Sequence, residues 1–107
     1  MDSNITEEKI KEVAQKVADH FNPEKIILFG SWAEGNPTAD SDVDLFVVKD
    51  TEESSRDMAR EIDRYIFPRP FPLDILVYKP EEVDSSIENG NFFIRNIVTK
   101  GKVLYEK

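Results

Sequence analysis

Three short runs rich in β-forming residues set the strongest limit on how this chain can fold. They are KIILF at residues 25–29, DVDLFVV at residues 42–48 and LDILVY at residues 73–78. The first is bounded by Pro23 and Gly30. Short apolar runs with such boundaries are typical of strands. The second run begins with alternation and becomes continuously apolar, as a strand does when it passes from an exposed end into a core.

Amphipathic patterns on either side of these strands predict helices that cover the sheet. Apolar residues recur at i, i+3, i+4 and i+7 over residues 10–21, and Thr6 is placed to cap the start of that helix. A second pattern of the same kind spans residues 53–66. The three prolines of FPRPFP at residues 67–72 prevent this helix from continuing.

The last third of the chain predicts two more helices and a short final element. Pro80 is suited to the first turn of a short helix. Apolar residues between positions 92 and 98 suggest a last helix that ends at Gly101. Residues 103–105 predict a terminal strand or a docked tail. This order of elements predicts an α+β fold in which helices flank a small mixed β-sheet.

The length and the apolar content predict a single domain without a membrane segment. The 107 residues suffice for one domain with a modest core, and we expect that domain to span residues 1–107. No apolar run approaches the roughly 20 residues of a membrane helix. Residues 1–12 lack the basic and then apolar pattern of a signal peptide. These features predict a cytoplasmic protein.

Charge and cysteine content restrict the ligands. The net charge is −8, which disfavours direct nucleic-acid binding because such affinity comes from Lys and Arg that neutralise phosphates. The chain has no cysteine and only one histidine, His20. A metal would therefore be held mainly by oxygen atoms, which favours a hard ion such as Mg²⁺.

The stretch GSWAEGNPTADSDVD at residues 30–44 carries the clearest functional signal. Two residues apart on a strand, Asp42 and Asp44 would lie on one side, roughly 6.6 Å apart at their Cα atoms. Carboxylates are disfavoured in strands and repel each other, so such a pair faces either water or a cation. If the strand of Asp74 pairs beside them, all three carboxylates converge.

Three carboxylates on a rigid sheet could hold two Mg²⁺ ions about 3.5 to 4 Å apart, as in enzymes that displace phosphoryl groups in line. The turn at Gly30 and Ser31 would supply backbone N–H groups and a hydroxyl to phosphate oxygens. Gly35 would end the helical turn that follows. Taken one at a time, these features are also typical of a solvated strand end and an ordinary turn.

A calcium loop of the EF-hand type is a different explanation of the alternating aspartates. Asp40, Asp42 and Asp44 occupy positions 1, 3 and 5 of that pattern. Position 6 is Leu45 instead of the glycine needed for the sharp turn, and position 12 is Thr51 instead of a bidentate glutamate. These two departures exclude an EF-hand.

The longer stretch GSWAEGNPTADSDVDLFVV resembles the signature of the nucleotidyltransferase superfamily related to DNA polymerase β. The shared features are a Gly-Ser turn, a second glycine, and Ser-Asp-x-Asp-Leu on the next strand. With its short length and its C-terminal FFIRNIVTKGKVLYEK, the chain most resembles the minimal nucleotidyltransferases. Those proteins are encoded beside a HEPN-domain partner in prokaryotic toxin–antitoxin pairs. The resemblance spans nearly the whole chain and implies the polymerase β-like fold.

The resemblance also implies roles for individual residues. Catalytic and metal-binding roles fall on the carboxylates of Asp42, Asp44 and Asp74. Nucleotide binding falls on a second set of residues: Gly30, Ser31, Gly35 and Ser41.

The activity implied is the transfer of AMP from ATP, with two Mg²⁺ ions, to a hydroxyl of a HEPN-domain toxin, with a tyrosine as the expected acceptor. The chain would then act as the antitoxin. Members of this group often carry arginine where this chain has Glu34. Two alternatives stay open: an antitoxin that neutralises its partner by binding alone, and a nucleotidyltransferase that acts on small molecules.

Overall fold

The computed structural model of the protein describes residues 5–38 and 41–107. Asp40, the first position of the EF-hand pattern, lies outside these ranges. The described elements follow the chain in this order: α1 (Glu7–Phe21), β1 (Lys25–Phe29), α2 (Ser31–Glu34), β2 (Val43–Val48), α3 (Ser55–Ile66), β3 (Leu73–Tyr78), α4 (Pro80–Glu88), α5 (Phe92–Lys100) and β4 (Lys102–Glu106).

The four strands form one mixed sheet in the order β3-β2-β1-β4. β1 pairs antiparallel with both β2 and β4, whereas β2 and β3 are parallel. A parallel pair needs a crossover connection, and α3 provides it between β2 and β3. The prediction of an α+β fold with a small mixed sheet flanked by helices is therefore confirmed.

Helices cover both faces of the sheet because successive strand residues point to opposite sides. Leu45 packs with α1 and α3, whereas its neighbour Phe46, which is fully buried, packs with α4 and α5. The α1 and α3 side holds the larger group of buried side chains, including Val17 and Ile62. On the α4 and α5 side, Ile94 is fully buried.

Two element boundaries differ from the prediction, one for a local reason and one because of strand pairing. α3 begins two residues later than expected, since the hydroxyl of Ser54 accepts a hydrogen bond from the Asp57 N–H at 3.0 Å and caps the helix. β2 begins at Val43, one residue after Asp42, because the ladder with β3 starts there. The Val43 N–H donates to the Pro72 carbonyl at 3.0 Å.

Other features of the elements follow the sequence patterns, although β4 (Lys102–Glu106) is one residue longer at each end than expected. The Thr6 hydroxyl accepts from the Lys9 N–H at 3.2 Å, which confirms the cap of α1. The end of the chain forms strand β4, so the strand and not the docked tail is confirmed. Within the described ranges, no helix combines the length and the hydropathy that a membrane span requires.

Candidate active site

The parallel pairing of β2 and β3 brings two of the three aspartates side by side. Asp44 and Asp74 are direct partners in the ladder. Neighbouring strands lie about 4.8 Å apart, and paired residues point to the same face, here the face of α4 and α5. Asp74 is exposed and Asp44 is half-buried.

Asp42 lies just before β2 and is exposed to solvent. Its charge nevertheless reaches the pair. Burial raises the pKa of Asp44 above its usual range, and the carboxylates of Asp74 and Asp42 raise this pKa further. The three predicted carboxylates therefore form one electrostatic cluster at the end of the sheet where β1 leads into α2.

The donor atoms of this cluster suit a hard divalent ion, since all are carboxylate oxygens. In the described part of the chain, however, no three side chains of the metal-binding types already surround a common point. Like charges repel, which keeps the three carboxylates apart, and they would have to rotate towards a shared ion. The metal-binding roles of Asp42, Asp44 and Asp74 thus stay predictions.

Gly30 brings its backbone against this cluster. Its φ of 78° and ψ of −155° fall in a region that is nearly restricted to glycine. A Cβ atom at this position would lie 2.5 Å from Oδ2 of Asp44, far closer than such atoms approach each other. Glycine is therefore needed here both for the turn and for the position of the Asp44 carboxylate.

The short helix α2 follows this turn directly. The Ala33 and Glu34 N–H groups donate to the Gly30 carbonyl at 3.0 and 3.1 Å. The first N–H groups of a helix have no intrahelical acceptor. The N–H of Ser31, the first residue of α2, could therefore donate to a ligand. Gly35 ends the helix in the left-handed conformation, with its N–H bonded to the Ser31 carbonyl.

Two other residues of the motif have structural contacts. The Ser41 hydroxyl accepts from the Thr38 N–H at 2.8 Å, and the Ser41 N–H donates to the Thr38 carbonyl, so these bonds hold the two residues together. Its contact with a nucleotide stays a prediction. Trp32 packs against the core on the α1 and α3 side, and its buried Nε1 finds no acceptor among residues 5–38 and 41–107.

Arg69 is a charged residue outside the cleft that the sequence patterns did not single out and whose charge interacts with the aspartates. It lies between two prolines just before β3, and its guanidinium bonds both carboxylate oxygens of Asp63, at 3.1 and 2.7 Å. The Asp63 carboxylate is the main cause of a raised pKa of Arg69, and the carboxylates of Asp74 and Asp42 raise this pKa further. A positive charge therefore stands close to the aspartate cluster. The only signal in the sequence was a basic residue four positions before the strand of Asp74.

A cleft of about 550 Å³ opens between the Gly30 turn and α5. Its volume lies within the range of small-molecule sites. The α5 wall of this cleft was also missed, because from sequence the helix gave only an apolar pattern. The residues around the cleft are Phe29, Gly30, Ala33, Glu34, Asp44, Phe93, Asn96, Ile97, Lys100 and Gly101.

Comparison with known families gives one match across most of the chain. The family model described as "Polymerase beta, Nucleotidyltransferase" matches residues 8–107. This range includes every predicted site residue.

Two similar proteins come from Methanocaldococcus jannaschii, and each is named "Putative protein adenylyltransferase". One is 32% identical over 108 residues, covering 98% of this chain and 72% of the relative. The other is 31% identical over 104 residues, covering 94% of this chain and 100% of the relative.

A solved crystal structure has the same fold. It is titled as that of "a putative nucleotidyltransferase from Sulfolobus solfataricus" and superimposes with a TM-score of 0.65 at 23% identity. The match covers 94% of this chain and 79% of that one.

Proposed function

The chain belongs to the polymerase β nucleotidyltransferase family and is therefore a nucleotidyltransferase, and from this premise we propose that it transfers AMP from ATP to a protein hydroxyl. The names of the two archaeal relatives support a protein acceptor. More specifically, the acceptor is a tyrosine on a HEPN-domain toxin, and the transfer makes this chain the antitoxin of the pair.

One observation carries the catalytic part of the proposal. The ladder partners Asp44 and Asp74 lie beside a glycine turn at which any Cβ atom would overlap the Asp44 carboxylate. Carboxylates and a backbone that can approach a phosphate closely are the two requirements for handling a triphosphate. Both occur at the same end of the sheet.

Asp42, Asp44 and Asp74 would hold the Mg²⁺ ions. When bound, Mg²⁺ supplies charge neutralisation for the triphosphate and a lower pKa for the acceptor hydroxyl. The acceptor oxygen attacks the α-phosphorus, and the bond from this phosphorus to the oxygen that bridges to the β-phosphate breaks. Pyrophosphate leaves with the electron pair of that bond.

The protein's own residues position the reactants and accept the proton. Asp74 is exposed at the open side of the cluster, where it can take or direct the proton of the acceptor hydroxyl. The Gly30 and Ser31 turn binds the phosphates. No side chain needs to form a covalent intermediate, since such transfers are catalysed mostly by positioning and charge stabilisation.

The proposal is tested with ATP labelled at the α-phosphate, Mg²⁺ and the HEPN-domain protein encoded beside the chain. We expect label on that partner and a mass gain of one or more AMP units. Asp42→Ala and Asp44→Ala should abolish labelling, whereas Asp84→Ala, which removes an exposed charge on α4, should retain it. An unlabelled partner in the presence of Mg²⁺ would refute the transfer.

Glu34 favours a second candidate, an antitoxin that neutralises its partner through binding alone. It adds a negative charge to the cleft beside the phosphate turn, which opposes nucleotide binding. The two functions differ in one outcome. If the Asp42→Ala and Asp44→Ala variants still neutralise the toxin at equal dose, binding suffices.

A further inference from the structure

We infer that α5 forms the second wall of the nucleotide site, with Lys100 binding the phosphates of ATP and Phe93 stacking on its base. This inference rests on the proposed function, since it names where the ATP of that reaction would lie. The cleft that carries it begins at Gly30 and Asp44 and extends along α5.

The pairing of β1 with β4 explains why the end of α5 reaches the phosphate turn. Leu28 is paired with Lys102, so the start of β4 lies beside the end of β1. The close packing of Gly101 against β1 fixes this approach, because a Cβ there would overlap the side chain of Ile27. Lys100 therefore enters the cleft near the residue at which β1 turns into α2.

The α5 residues that enter the cleft share one helical face. Phe93, Asn96, Ile97 and Lys100 are related by steps of three, four and seven residues. Ile97 is buried and seats the helix on the sheet, whereas the other three are exposed. Phe93 and Lys100 stand about 10 Å apart along the axis at 1.5 Å per residue. An extended nucleotide separates its base from its outer phosphates by a comparable length.

Lys100 is the only cationic residue around the described part of the cleft. It makes no ion pair within residues 5–38 and 41–107. A lysine in the last turn of a helix also suits the helix dipole, and that is the competing explanation of its presence. The dipole does not, however, require the side chain to enter a cleft. Glu34 and Asp44 make the cleft negative, so a positive charge there would favour the binding of a triphosphate.

Phe93 has the exposure and the neighbours of a stacking residue. Its side chain is 56% exposed, although the ring has an edge-to-face contact with Phe29 at 5.9 Å between centroids. That contact orients the ring while leaving much of it open. Aromatic rings stack on bases, and removing one weakens binding by about tenfold in typical cases.

The test measures equilibrium binding, apart from turnover, by titration calorimetry with Mg²⁺ and α,β-methylene-ATP, whose α–β bridge resists cleavage. Inorganic tripolyphosphate serves as a second probe that lacks the base. We expect Lys100→Ala to weaken both probes about tenfold, because it removes a charge-assisted contact to phosphate. Phe93→Ala should weaken only the nucleotide and leave tripolyphosphate unchanged.

Lys102→Ala is the matched control for charge. This lysine lies two residues further along, is paired with Glu7 at 3.0 Å, and does not line the cleft. It should bind both probes as the unmodified protein does, and Lys100→Arg should restore most of the affinity. Circular dichroism of each variant establishes that the fold is kept.

The possible outcomes separate this inference from the proposed function. If the unmodified protein binds the nucleotide and Lys100→Ala binds it equally well, the phosphate role of Lys100 is wrong, while AMP transfer stands. If Phe93→Ala weakens tripolyphosphate as much as the nucleotide, the stacking role is wrong. If the unmodified protein binds neither probe, ATP is not its substrate and both proposals fail.

Discussion

Replacing Gly30 with alanine should separate the structural role of the turn from its effect on catalysis. The backbone at this residue has φ 78° and ψ −155°. For any other residue this conformation costs about 1–3 kcal/mol. Alanine also reduces the conformational freedom of the unfolded chain, which stabilises the folded state by roughly 0.4–1 kcal/mol relative to glycine. The net free energy of unfolding should therefore fall by about 1–2 kcal/mol, which corresponds to a melting temperature lower by about 5–15 °C.

The added Cβ also meets the Asp44 carboxylate at 2.5 Å, so Oδ2 must move by about 1 Å to restore normal contact. A displacement of this size in a catalytic group can lower the rate about 100-fold. Gly30→Ala should consequently lose far more activity than its modest loss of stability explains.

Gly90→Ala is the matched control for backbone strain. Gly90 also has a positive φ, 81°, but a Cβ there has no neighbour within 4 Å, and the residue lies in the turn between α4 and α5. Urea unfolding and AMP transfer should be measured for both variants. Gly90→Ala should lose about 1 kcal/mol, after the same gain from the unfolded state, and retain its activity. If Gly30→Ala kept its activity as well, the close contact between the turn and Asp44 would have no catalytic importance.

Four further substitutions, in three predictions, test the charges of the site. Since the pKa of Asp44 is raised in the folded state, its ionised form destabilises the fold at neutral pH, and stability in a chelator should rise as pH falls through that raised pKa towards the ordinary value of 3.8. Asp44→Asn should remove most of this rise and make the fold slightly more stable at pH 7, while abolishing transfer. Arg69→Ala should tighten Mg²⁺ binding about 2–5-fold by calorimetry, because a positive charge that acts on the carboxylates is lost. Asp63→Ala should weaken Mg²⁺ binding, because it frees the Arg69 guanidinium to turn towards the carboxylates. If both variants shifted the Mg²⁺ affinity in the same direction, this account would be contradicted. Glu34→Arg should raise the affinity for ATP about fivefold, and an unchanged dissociation constant would show that Glu34 does not face the phosphates.

The features that the sequence determined depend on neighbours a few residues apart. The face of α1, its Thr6 cap and the turn at Gly30 follow from side-chain spacing and local backbone preference. One of the two boundary errors was also local, since the Ser54 cap sets the start of α3. The start of β2 was not, because it depends on the pairing of Val43 with the residues before β3. The family resemblance rested on the same kind of short-range pattern.

The arrangement of the site was decided only by long-range pairing. The sequence allowed Asp74 to approach Asp44, but only the parallel register of β2 and β3 makes them partners. Arg69 lies near them because Asp63 of α3 holds its guanidinium. Lys100 enters the cleft because β4 pairs with β1. In that pairing Lys102 is the partner of Leu28, which lies 74 residues earlier in the chain. Spacing along the chain cannot reveal such contacts, since they depend on which strands exchange hydrogen bonds and on which faces the helices then cover.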